Sequence, residues 1–271
     1  MTTRRGLFGA TLLVAAIAAA GAATDGQDQK LDVPWEDIAV ASQQRVREVT
    51  EHAIFFRDLH GITVKSSPMV FDFLLDHPDF AATAGRILGI VKYRVVKERD
   101  GVFWGDDAHG ATGTVELMHA GPGRRIYLAT GTFVKRFLPT IYGRILLVMA
   151  YEHRTDQTGE SLVINDVRGY LRIDNRILGI LARIARPVVG PIVDRKVLRT
   201  FAAASRLTEH ASHDPTTLYH SLEASPEIDK SALREFRKVL RCCAEDAGQT
   251  RSLTQEQRQE SSLRVKRSNL A

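Results

Sequence analysis

The chain has 271 residues, 44% of them hydrophobic and 25% charged, with two cysteines and a net charge of +5. This composition excludes a wholly disordered chain and a disulfide scaffold, and it leaves room for one well-filled core or two small ones. The small basic excess is concentrated in residues 131–199, which carry 12 Lys+Arg against 6 Asp+Glu, and it is too weak to point to nucleic acid in the absence of an aromatic-plus-basic recognition motif.

The first residues, MTTRRGLFGATLLVAAIAAAGAATDGQ, place Arg4 and Arg5 before an apolar run from Leu7 to Ala20, and small residues follow at Ala20–Ala23. That layout predicts a secretory signal peptide over 1–23. The Thr3-Arg4-Arg5 start resembles a twin-arginine signal. The run is shorter than the roughly 20 residues of a spanning helix, so export to the periplasm or outside is expected rather than an anchor. A polar linker and a short helix should fill 24–53, with Ile38, Val40, Ala41, Val46 and Val49 at helical spacing over 36–52.

Next, LHGITVKSS alternates Ile62 and Val64 with polar residues, as a strand does. Ser66-Ser67-Pro68 is a helix start, with hydroxyls to cap and proline for the first turn. The segment that follows predicts two short helices split at His77-Pro78. A series of short strands with turns at Asp100-Gly101, His109-Gly110 and Gly121-Pro122-Gly123 then predicts an antiparallel meander ending near residue 173. The run Gly105-Asp106-Asp107-Ala108-His109-Gly110 falls at one of these turns, where solvated charge is the ordinary explanation.

Parity on the later strands predicts one dry face and one wet face. The dry parity holds Val115, Leu117 and His119; then Ile145, Leu147, Met149, Tyr151 and His153; then Val163, Asn165, Val167, Gly169, Leu171 and Ile173.

Residues 176–188 form a basic amphipathic pattern, with Ile177, Ile180, Leu181, Ile184 and Val188 on one arc. Pro187 and Pro191 should break or kink it, and a second helix should run from about Pro191 to Ser212. Residues 222–271 predict one more helix followed by a polar, disordered tail. The tail side of that helix holds Cys242 and Cys243. Adjacent thiols do not make a metal site. They bridge to each other or to another chain, or do nothing specific.

This order of elements, with LDHPDF after the first helix and DNRILGILARIARPVVGPIVDRKVLRTF in the last helical region, resembles the START-like superfamily, which includes the Bet v 1-type proteins and the polyketide cyclases. The resemblance covers residues 54–221. It implies an α+β helix-grip fold: a curved antiparallel sheet of about six to seven strands wrapped around a long C-terminal helix, with a cavity between them for a lipid or sterol-like ligand. It also implies that the loop GTFVKRFLPTIYG, 131–143, gates the cavity together with the helix after the last strand.

On that basis Val115, Leu117, Leu147, Met149, Val163 and Val167 are expected to line the wall. His119, Tyr151, His153 and Asn165 supply polar points, because a buried polar group must find a partner. Ile180, Ile184 and Val188 close the helix side. In the gate, Phe137, Leu138 and Ile141 would enter a membrane interface, and Lys135 and Arg136 would meet lipid phosphates at about 1 kcal/mol each. The bland alternative is that the loop's apolar residues fold back onto the core. The expected partners are a hydrophobic small molecule and, transiently, a membrane surface, with no cofactor, no metal and no nucleic acid. Two rival functions are a cyclase- or aromatase-like enzyme using His119 or His153, and an envelope scaffold with a packed core.

Overall fold

The computed structural model describes residues 33–134, 136, 139–175 and 186–240, and of 186–196 the backbone only. The expected signal peptide, Lys135, Phe137, Leu138, Ile180, Ile184, the side chain of Val188, Cys242 and Cys243 therefore lie outside the described residues.

A 3-10 turn, Trp35–Asp37, leads into helix α1, Val40–Glu51. Strand β1, Phe55–Lys65, is followed by α2, Pro68–Asp76, and α3, Pro78–Ile87. Ser67 caps α2 by accepting a hydrogen bond from the Val70 amide at 3.3 Å, with Pro68 in the first turn. His77 sits at φ −124°, ψ 64° between the two helices, as a residue before proline is driven out of the helical region. Six more strands follow: β2, Arg94–Arg99; β3, Val102–Asp106; β4, Ala111–Gly121; β5, Arg124–Phe133; β6, Ile141–Thr155; and β7, Ser161–Ile173. They form a single seven-stranded antiparallel sheet in the order β1-β7-β6-β5-β4-β3-β2. The class is α+β. The first strand thus pairs with the last, and α2 and α3 occupy the connection that crosses from one sheet edge to the other.

Helix α4, Arg186–His213, packs across the inner face of the sheet, and α5, Pro215–Glu223, and α6, 230–240, follow it. A helix from about Pro191 to Ser212 was expected, after an amphipathic segment 176–188 whose first part, 176–185, lies outside the described residues. The observed helix already includes Pro187 and Pro191. A proline inside a helix gives up one intrahelical hydrogen bond, and the helix carries both. Toward its C-terminal end, Thr208 Oγ1 donates to the Lys65 carbonyl and Ser205 Oγ accepts from the Lys65 amide at 3.4 Å, tying α4 to the end of β1.

The expectation of one wet sheet face fails at the centre of the sheet. Ile126, Leu128, Leu146, Val148 and Tyr170 point away from α4, yet they are buried. Helix α1 lies over them through Val46 and Val49 and makes a second core with Val33 and Ile38. Arg45 fixes its outer edge with bonds of 2.7 and 2.9 Å to Glu116. A strand covered on both faces reads as a continuous apolar run, which is the pattern of Ile145–Met149.

A third core joins α2 and α3 to the end of α4 and to α5 and α6. Phe73, Phe80 and Phe236 form its aromatic centre, with ring centroids 4.9–5.2 Å apart.

Candidate functional site

Between the inner face of the sheet, α2, α3 and α4 lies a cavity of about 160 Å³. Helices α2 and α3 contribute Phe71, Leu74, Leu75, Ala81 and Gly85, and the sheet contributes Phe103, Val115, Tyr127, Leu147 and Met149. Helix α4 contributes Thr200, Phe201, Ala203, Ala204 and Leu207. The space exists because α3 and α4 present small residues where they face each other across the sheet. Tyr93, Arg94 and Asp106 lie at the β2–β3 side of the cavity, and Arg94 and Asp106 stand opposite each other in the strand register.

Of the expected wall residues, the structure brings Val115, Leu147 and Met149 to the cavity. Val163, Val167 and the half-buried Leu117 belong to the same inner core but stand outside the cavity lining. Asn165 is fully buried and acts within the fold. Its Nδ2 donates to the carbonyls of Ile62 (3.0 Å) and Val163 (3.2 Å), beside the register shift between Leu59 and Ile62 that leaves β1 irregular. Its Oδ1 is buried with no hydrogen-bond partner.

His119 was placed on the dry parity, and it does not point into the cavity. A β-bulge between Leu117 and His119 inserts Met118, so that Leu117 faces Tyr127 on the inner side while His119 stands opposite Ile126 on the α1 side. There its Nε2 lies 3.9 Å from Asp37. His153 keeps its parity but is exposed near the strand end, with its ring centroid 5.6 Å from that of Tyr151. Neither histidine borders the cavity.

The polar chemistry of this face centres instead on Arg125, which carries no local signal of its position. Its side chain is 6% exposed and faces inward opposite Met149. Nε and Nη2 donate to the two oxygens of Asp76 at 2.7 and 3.1 Å, and Nη1 donates to the Gly121 and Arg124 carbonyls at 2.5 and 3.0 Å. Tyr151 donates its hydroxyl to Asp72 at 2.6 Å, and the Arg125 guanidinium stands 5.7 Å from the Tyr151 ring centroid. Asp72 and Asp76 are one helical turn apart on α2, next to the cavity-lining Phe71, Leu74 and Leu75. The cluster therefore anchors α2 to β5 and β6 and fixes one cavity wall. Desolvation works against the Arg125 charge, but the Asp76 hydrogen bonds and charge outweigh it and hold the pKa above its ordinary value.

Three tyrosines of this region share one electrostatic property. Burial pushes the Tyr93 hydroxyl up to about 12. Burial also raises Tyr127, whose hydroxyl donates to the Leu75 carbonyl at 3.2 Å. Burial, followed by the hydrogen bond to Asp72, raises Tyr151. A phenol whose folded pKa lies above its unfolded value of about 10 favours the folded state below pH ~10 and loses that contribution as pH rises through the folded value. In an absorbance titration at 295 nm, at least three of the six tyrosines should remain protonated at pH ~11 in the native protein and ionise only as it unfolds. Titration of all six together near pH ~10 in folded protein would contradict these environments.

Both stems of loop 131–143, expected to be a gate, lie within the described residues. Val134 and Tyr142 are 56% and 52% exposed. The Val134 amide donates to the Gly110 carbonyl at 2.8 Å, which ties the loop to the β3–β4 turn beginning at the cavity-lining Asp106. Gly110 is at φ 110°, and a Cβ there would meet the Val134 carbonyl oxygen at 2.2 Å, so no other residue fits this junction.

Comparison with known proteins adds no identity. No family model matches the chain, and none of the curated proteins does. Among solved structures, a conserved protein from Geobacillus kaustophilus superposes with a TM-score of 0.43 at 11% identity, covering 58% of this chain and 97% of its own. An uncharacterized protein from Rhizobium leguminosarum superposes with a TM-score of 0.27 at 15% identity, covering 52% of this chain and 93% of its own.

Proposed function

We propose that this chain is an exported, non-catalytic binding protein of the START-like, helix-grip kind, which holds a hydrophobic small molecule between its sheet and α4 and releases it at a membrane surface. The observation that carries the reading is the cavity of about 160 Å³, walled almost wholly by apolar side chains. An apolar concavity with few polar points is the usual form of a small-molecule site. The order of the seven strands, with two helices between β1 and β2 and a long helix across the inner face, supports the helix-grip assignment.

The enzyme reading loses its support, because both histidines it depends on lie away from the cavity. The scaffold reading requires a filled core, which the cavity opposes. Loop 131–143 is the proposed gate. Its exposed stems at Val134 and Tyr142, the tie to the Asp106 turn and the Lys135-Arg136 pair all favour interfacial contact over packing.

Burying each apolar side chain in the interface contributes roughly 1.5–3 kcal/mol. Replacing Phe137 and Leu138 together by aspartate should therefore weaken binding to anionic liposomes by at least about tenfold and slow ligand transfer, with the fold intact by circular dichroism. Unchanged liposome binding and transfer would remove the gate from this account.

A further inference from the structure

The cavity also limits what it can hold, an inference that rests on the binding reading above. Its volume of about 160 Å³ falls well below the roughly 300–1,000 Å³ of ordinary ligand pockets. It matches an engineered apolar cavity of about 150 Å³ that takes benzene. A fused four-ring sterol or a diacyl lipid has several times this bulk.

Shape and chemistry narrow the class further. Five aromatic side chains line the space: Phe71, Tyr93, Phe103, Tyr127 and Phe201. Aromatic rings gain from edge-to-face and offset contacts that an alkyl chain cannot make. The Tyr127 hydroxyl is already engaged by the Leu75 carbonyl. The Tyr93 hydroxyl makes no hydrogen bond among the described residues, although desolvation raises its pKa to about 12. Arg94 and Asp106, of opposite charge, stand opposite each other in register at the same side. No charged side chain lines the remaining walls, where a charged ligand would be desolvated without a partner.

We propose that the cavity takes a neutral compound of one aromatic ring carrying a single oxygen substituent, a phenol or an aryl ether or ketone, with the Tyr93 hydroxyl as its hydrogen-bond partner.

The test is a calorimetric titration of the full mature chain with p-cresol, toluene, benzoate, laurate and cholesterol, the last two solubilised in cyclodextrin. One p-cresol should bind per chain, more tightly than any other probe. Tyr93→Phe should weaken p-cresol by about three- to tenfold, the effect of one hydrogen bond, and leave toluene unchanged. Ala204→Phe, which places a ring in the cavity, should abolish both. Tighter binding of laurate or cholesterol overturns the size limit while leaving hydrophobic binding in place. Tighter binding of benzoate overturns neutrality, and an unaltered p-cresol affinity in Tyr93→Phe removes that residue's role. No binding of any probe overturns the binding reading itself. The ligand series uses the unmodified protein, so it decides the matter even if Ala204→Phe fails to fold.

Discussion

Replacing Arg125 by alanine should lower unfolding free energy by about 2–3 kcal/mol. The guanidinium is buried, and its loss leaves the Gly121 carbonyl and the Asp76 carboxylate without their partner, next to a void where the side chain stood, while Asp72 keeps the Tyr151 hydroxyl. Breaking a fully buried pair costs roughly 3–5 kcal/mol. The lower range applies here because the Asp72 and Asp76 side chains are 42% and 38% exposed and water can take over part of their solvation. Urea denaturation of the variant measures it directly. The same change frees α2 from the sheet, so hydrophobic ligand binding should weaken as well. A loss below about 0.5 kcal/mol would mean that the cluster is a solvated surface pair and not an anchor. In a double-mutant cycle with Asp76→Asn, the two effects should fall well short of adding, because both remove one interaction.

A comparable loss, about 3–5 kcal/mol, is expected for Phe236→Ala. Phe236 is fully buried on α6, against Phe73 of α2 and Phe80 of α3. Removing the ring leaves a cavity at the junction of three helices, and the surroundings can collapse only in part. Leu74 and Leu207 belong both to this third core and to the cavity wall, so on the proposed function the variant should also show weaker binding of a hydrophobic compound, and earlier hydrogen exchange in α2. A change of less than about 1 kcal/mol would show α5 and α6 to be a loosely attached appendage. The polar, charged sequence of residues 241–271 contrasts with the apolar positions of α6, Leu233, Phe236 and Leu240, and the folded domain accordingly extends through α6 to residue 240.

Local signals account for most of the fold. The cap and proline at Ser67-Pro68, the break at His77-Pro78, the turns of the meander and the inner parity of β6 and β7 are all readable because each depends on a few neighbouring residues. The second face of the sheet was misread, although Ile145–Met149 carried its signature: alternate residues that are all apolar require cover on both sides. His119 was misplaced for a different reason. One inserted residue in β4 reverses the parity after it, and nothing in ELMHAG distinguishes a bulge from a regular strand.

Arg125 and Tyr127 share a parity on β5 that ordinary reasoning sorts to opposite faces, since a charged residue is assigned to water. Only the arrival of Asp72 and Asp76 from a distant helix makes its burial possible. The described lining of α4 lies at 200–207, while Ile180, Ile184 and the side chain of Val188 fall outside the described residues. A space is made by what is missing, and the small residues Ala203 and Ala204, which line it with Ala81 and Gly85, are the available sign.

The central claim is that the space between the sheet and α4 holds a hydrophobic ligand. The most direct measurement is native mass spectrometry of the protein purified from its own host, with organic extraction of what accompanies it. The account predicts a one-to-one adduct whose mass is that of a hydrophobic small molecule, lost on denaturation. A protein that arrives empty and then takes up no hydrophobic compound, from a single ring to a sterol, would contradict it.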